Sequence, residues 1–68
     1  MTDIELKRCK EFLDYFDVEY SGDILYLTDG GNSCIMNPNT QWKDFLGYSI
    51  NSITIAVAKE LNKKVMWK

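Results

Sequence analysis

From residue 48 to residue 61 the chain reads Tyr-Ser-Ile-Asn-Ser-Ile-Thr-Ile-Ala-Val-Ala-Lys-Glu-Leu, its clearest hydrophobic period. At about 100° per residue, Ile50, Ile53, Val57, Leu61 and then Val65 fall within an arc of about 120° on one side of a helix. Asn51, Ser52, Lys59, Asn62 and Lys63 fall on the other side. Ile55 alone breaks the pattern and points into the polar arc, with Ala58 beside it. The expected element is an amphipathic helix capped by Ser49 that fails near Asn62-Lys63-Lys64, where cations suit its negative end. The core must form against it, so Ile53→Asp is expected to unfold the domain. Ile55→Asp is expected to leave the fold intact while disturbing assembly or partner binding.

The N-terminal pattern is also helical. Thr2-Asp3-Ile4-Glu5 is a capping box, in which hydroxyl and carboxylate each satisfy a free backbone N–H. Leu6, Cys9, Phe12, Leu13 and Phe16 then share one face, which predicts a helix over about residues 3–16, with Ile4 and Tyr15 as a smaller patch on its flank. The period then changes. Val18-Glu19-Tyr20 alternates, Ser21-Gly22-Asp23 reads as a tight turn, and Ile24-Leu25-Tyr26-Leu27-Thr28 is rich in strand formers. Asp29-Gly30-Gly31-Asn32 reads as a hairpin turn and Ser33-Cys34-Ile35-Met36 as the return strand.

Pro38 ends the sheet, and Asn37, Asn39 or Thr40 can each cap the next helical segment. Residues 41–46 make a short helical turn with Trp42, Phe45 and Leu46 inward, and Gly47 stops it. Val65-Met66-Trp67 is either a frayed last turn or a short strand at the sheet edge; the strand is favoured because Val65 and Trp67 then share a face. The fold class is α+β in a single domain over residues 1–68. Its order is an N-terminal helix, an antiparallel two- to three-stranded meander, a short helix, a longer C-terminal helix and a final short strand. Both main helices are expected on one face of the sheet, over Leu25, Leu27 and Ile35.

Charge adds a polarity that the pattern lacks. Residues 1–42 hold eight acidic and three basic side chains, net −5, and residues 43–68 hold two and five, net +3, which together give −2. No Lys or Arg occurs between Glu11 and Trp42. Such a surface repels nucleic acid and suits a basic protein partner; the plainer reading is solubility. Two Trp, three Phe and four Tyr are many rings for 68 residues, so some are expected at a partner interface or at the seam of a homodimer. Cys9 and Cys34 either pair or remain reduced. Residues after Met1 lack the apolar stretch of a signal peptide, which favours buried thiols in a soluble, cytoplasmic chain with no membrane association.

Chemistry-bearing patterns are sparse. The absence of histidine removes the commonest base and metal ligand near neutral pH, and no group stands ready to activate either cysteine, so no catalytic residues are assigned. Two cysteines without histidine cannot close a zinc site, and Asp29-Gly30-Gly31-Asn32 lacks the alternating oxygens of a calcium loop and the following lysine of a phosphate loop. No metal or cofactor is expected. Recognition of another protein remains, with Asp14, Asp17, Glu19, Asp23 and Asp29 for steering and Tyr26, Trp42 and Ile55 for contact. An alternative is a nucleic-acid-binding regulator using Lys59, Lys63, Lys64 and Trp67, with Lys59 and Lys63 one helical turn apart. The pI of about 4.9 weighs against it. A structural subunit of a larger assembly is a third.

The run from Tyr48 through Leu61 resembles the Tyr-Ser-led helix of small phage-encoded proteins with an α-β-α sandwich. That family usually carries an acidic residue soon after the serine, where this chain has Asn51. The resemblance implies a phage origin, with no catalytic residues to carry over. In that setting the expected function is non-enzymatic: binding and modulating a host protein, of the host-takeover or anti-defence type.

Overall fold

A computed structural model describes all 68 residues. Helix α1 (Asp3–Tyr15) leads to strand β1 (Ile24–Leu27), a 3-10 turn at Asp29–Asn32, and a second, kinked 3-10 segment at Thr40–Phe45. Helix α2 (Ile50–Glu60) and strand β2 (Lys64–Trp67) complete the chain.

Local signals set the ends of both helices. The Glu5 N–H donates to Thr2 Oγ1 at 3.1 Å while the Thr2 N–H donates to Glu5 Oε1 at 3.3 Å. Ser49 and Ser52 form the same reciprocal pair at the start of α2, at 3.1 and 3.0 Å. Both helices end on a left-handed residue, Asp17 (φ 59°) and Asn62 (φ 58°). The next N–H then reaches back five residues, Val18 to the Leu13 carbonyl and Lys63 to the Ala58 carbonyl, each at 2.8 Å. Gly47, at φ 88°, stops the second 3-10 segment as expected, and Asn39 is its cap.

The sheet differs from the expected meander. Strands β1 and β2 pair in parallel, Leu25 opposite Val65 and Tyr26 opposite Met66, so the chain from β1 through α2 to β2 is a crossover. Residues 18–20 form no strand. The cause lies at Thr28. Its backbone N–H and carbonyl, which a hairpin would use, are both taken by the Asn51 side chain at 3.3 and 2.7 Å. Its hydroxyl accepts from the Gly31 N–H at 3.2 Å, which curls Asp29–Asn32 into a 3-10 turn. The supposed return strand bonds to residues 47–49 instead: the Ile35 N–H donates to the Tyr48 carbonyl at 3.0 Å, and Cys34 bridges Ser49 antiparallel.

Helix α2 lies at the centre, touching α1, the first 3-10 turn and both strands, while α1 packs chiefly on α2. The core joins Cys9, Phe12 and Leu13 of α1 to Leu25, Trp42 and Phe45, and to Ile53, Val57 and Ala58 of α2. Phe12 is its hub, edge-on to Trp42 at 5.4 Å and 4.7 Å from Phe45. Several expected placements change. Asn51, read as polar-face, is buried; Ala58, read beside Ile55, is core; Leu46, read as inward, is exposed. Cys9 and Cys34 are both free thiols, and Cys34, read as buried, is exposed.

Candidate interaction surfaces

The most apolar recess lies where the first turns of α1 approach α2 and residues 44–48. A groove of about 380 Å³ runs over Cys9, Phe45 and Ile53, with Ile4, Tyr48 and Ala56 along its walls and Glu5, Arg8 and Asp44 at its rim. Ile4 is 76 % exposed although it sits on a well-formed helix turn. The ammonium of Met1, 3.0 Å from Glu60 Oε1, ties the start of α1 to the end of α2 beside the groove. Arg8 fixes the third side, lying 5.1 Å over the Trp42 ring while donating to Glu11 at 3.0 Å and to the Gln41 carbonyl. Burial, aided by the nearby Glu5 charge, pushes the Cys9 thiol above its ordinary pKa, which favours the uncharged thiol at the groove floor. The groove suits an inserted apolar side chain.

The acidic candidates are all exposed: Asp14, Asp17, Glu19, Asp23 and Asp29. Tyr26, 48 % exposed, stands among them, since Glu19 and Tyr26 share one recess with Asp23 and another with Asp17. Asp14 accepts from the Tyr20 hydroxyl at 3.0 Å. The Tyr20 pKa is raised, by desolvation first and by that bond second. Asp29 lies apart, on the 3-10 turn. Trp42 does not join this surface: at 2 % exposure it is a core residue, enclosed by Phe12, Phe45 and Tyr15. Ile55 is half exposed on α2, as its place outside the core arc implies.

The lysine set is less continuous than its spacing suggests. Helix α2 ends at Glu60, so Lys63 does not lie one turn beyond Lys59 on a shared helix. The Lys63 ammonium is bound to the Gly22 carbonyl, and Lys63 and Lys64 line a recess together with Asp23. Trp67 is 60 % exposed at the end of β2. Two further contributors to exposed apolar surface, Tyr48 and Met66, carry no sequence signal of their own; their exposure depends on which strand pairs with which and how α1 meets α2. The Ile4 patch on the α1 flank is the available signal for the groove.

No group of three or more His, Cys, Asp or Glu is placed to hold a metal ion, and no helix is long and apolar enough to cross a membrane. No protein-family model, curated protein or solved structure matches the chain.

Proposed function

We propose that this chain is a small non-enzymatic protein-interaction module that binds and modulates another protein. One observation carries the reading: large apolar side chains stand exposed around the molecule, and three of them, Met1, Ile4 and Tyr48, converge on one apolar groove. Scattered exposed apolar residues are ordinary; a concave group with a charged rim is the anatomy of a contact site. The acidic surface around Tyr26 supplies steering toward a basic partner. In the phage setting that residues 48–61 resemble, the partner is a host protein.

The test is affinity capture with mass spectrometry from the natural host, repeated with Ile4→Asp and Ile55→Asp. Both side chains are exposed, so the circular dichroism of the variants should match the parent. The expected result is a specific captured protein that is lost with Ile4→Asp. No specific capture, together with a monodisperse monomer by light scattering, overturns the reading.

Exposed Trp67, at the end of a strand whose other face carries Lys64 and Lys68, favours a second reading, a nucleic-acid-binding regulator. It requires binding to DNA or RNA that weakens steeply with salt and is lost when Lys59, Lys63 and Lys64 become glutamine.

A further inference from the structure

We propose that the free edge of β2 is a strand-addition site, and that its occupant is an extended, acidic segment of a partner protein. This rests on reading the chain as a protein-interaction module. The sheet has two strands, so β2 has a neighbour on one side only. The Lys64 N–H donates to the Asp23 carbonyl at 3.1 Å and the Lys68 N–H to the Leu27 carbonyl at 2.8 Å. Backbone donors and acceptors alternate along a strand, so those of Val65 and Trp67 point to the opposite side, where no strand lies.

Three features select the occupant. First, the outer face of the sheet is bare: the register partners Tyr26 and Met66 are 48 % and 51 % exposed, whereas parallel sheets are ordinarily covered on both faces. Second, Lys64 and Lys68 are exposed two residues either side of Met66 on that face, and residues 61–68 contain no acidic side chain. The carboxylates that share recesses with them, Asp23 with Lys64 and Asp17 and Glu19 with Lys68, belong to the segment before β1 and leave the free edge of β2 to the lysines. Third, that arrangement works against a second copy. Edge-to-edge pairing of two β2 strands centred on Met66 sets Lys64 opposite the copy's Lys68, and like charges directly opposite are destabilising. Lysines on an edge strand are a common guard against self-pairing. The edge is therefore open to an acidic strand and closed to its own kind.

The register then dictates the ligand. An apolar residue lies opposite Met66, carboxylates two positions either side meet Lys64 and Lys68, and β-branched residues between them lie beside Val65 and Trp67. The capped peptide Thr-Glu-Val-Leu-Val-Glu-Thr carries this pattern and reads the same in either direction.

The experiment titrates that peptide, and its counterpart with lysine in place of glutamate, into the full chain by calorimetry, with amide hydrogen exchange by NMR. Saturable binding of the acidic peptide is expected, at least tenfold tighter than the lysine peptide, with new protection at the Val65 and Trp67 amides. In Lys64→Glu/Lys68→Glu, whose side chains are exposed and whose dichroism should be unchanged, the preference should reverse. Absence of binding, or binding without protection at those amides, overturns the inference. So does a chain that sediments as a dimer with the two amides already protected, or one whose edge is protected by an oligonucleotide instead. Should the peptide fail while a host protein is still captured and lost with Ile4→Asp, strand addition falls and the interaction reading stands.

Discussion

Asn51 does more than its place in a polar sequence arc suggests. Its amide donates to the Thr28 carbonyl at 2.7 Å and to Asn32 Oδ1 at 2.9 Å, and its oxygen accepts from the Thr28 N–H. Buried polar groups left without partners cost about 1–3 kcal/mol each, so Asn51→Ala should destabilise by about that amount, read by urea denaturation. Gly31 is coupled to it by contact. A Cβ there would come 2.8 Å from Asn51 Cγ and closer still to Oδ1, and a hydrogen-bonded amide cannot move aside without breaking its bonds. Gly31→Ala should therefore cost much less in the Asn51→Ala background, with a coupling of about 0.5–3 kcal/mol. Additive effects would show that the turn and the amide do not constrain each other. At the other end of the chain, Thr2 holds the Glu5 carboxyl below its ordinary pKa through side-chain and backbone hydrogen bonds. A folded-state pKa below the unfolded one gives stability that is present above the unfolded value and is lost as pH falls through the folded one. Thr2→Ala should raise the Glu5 pKa in an NMR titration and move that acid loss to higher pH; an unchanged titration would refute the capping role.

At the scale of elements, the decisive feature is the choice of partner for β1. Parallel pairing with β2 brings Tyr26 and Met66 opposite each other on the outer face, whereas a hairpin would bring Tyr26 beside residues 33–36. Register partners in adjacent strands lie within the Cα separation that a disulfide spans, about 4.4–6.8 Å. In a Cys34→Ser background, Tyr26→Cys/Met66→Cys should form a cross-link under mild oxidation, found as a linked 26–66 peptide by mass spectrometry. Failure to link would refute the register. Local chemistry was legible in the sequence: the Thr2–Glu5 box, the Ser49 cap, the Gly47 stop, the α2 core stripe and β1 as a strand, with residues 65–67 left between a strand and a frayed helix end. What joins them was not. The turn at Asp29–Asn32 has the glycines of a hairpin, but the Thr28 hydroxyl and carbonyl take the Gly31 N–H, and the amide of Asn51, 23 residues on, binds the Thr28 N–H and carbonyl as well. Trp42 was ambiguous for the same reason. Its spacing with Phe45 marked an inner face and its size marked an interface, and the packing of Phe12 and Arg8 decides for the core. Ile4 showed in the sequence as a patch, but a groove needs Tyr48 and Ala56 opposite, which no local pattern supplies.

The whole molecule is thin. Its Cα atoms extend 31 × 28 × 16 Å, about what two stacked layers require, and its surface of 4847 Å² exceeds the roughly 4,400 Å² usual for a folded monomer of 7.9 kDa. That leaves little core to spare: 13 of 68 residues are buried. That core is also indivisible. Cys9, Phe12 and Leu13 come from one end of the chain and Ile53, Val57 and Ala58 from the other, while β1 has no strand neighbour except β2. Helix α1, with 13 residues, is at the length where an isolated helix is marginal in water. A fragment of residues 1–47 should therefore show little helix by circular dichroism, and a peptide of residues 48–68 should restore it on mixing. The full chain should unfold in one transition, with helix signal and the fluorescence of buried Trp42 lost together. A fragment of residues 1–47 that keeps its helix and a cooperative melt would mean that α1 and the aromatic cluster form a core of their own, with α2 added to it and not its foundation.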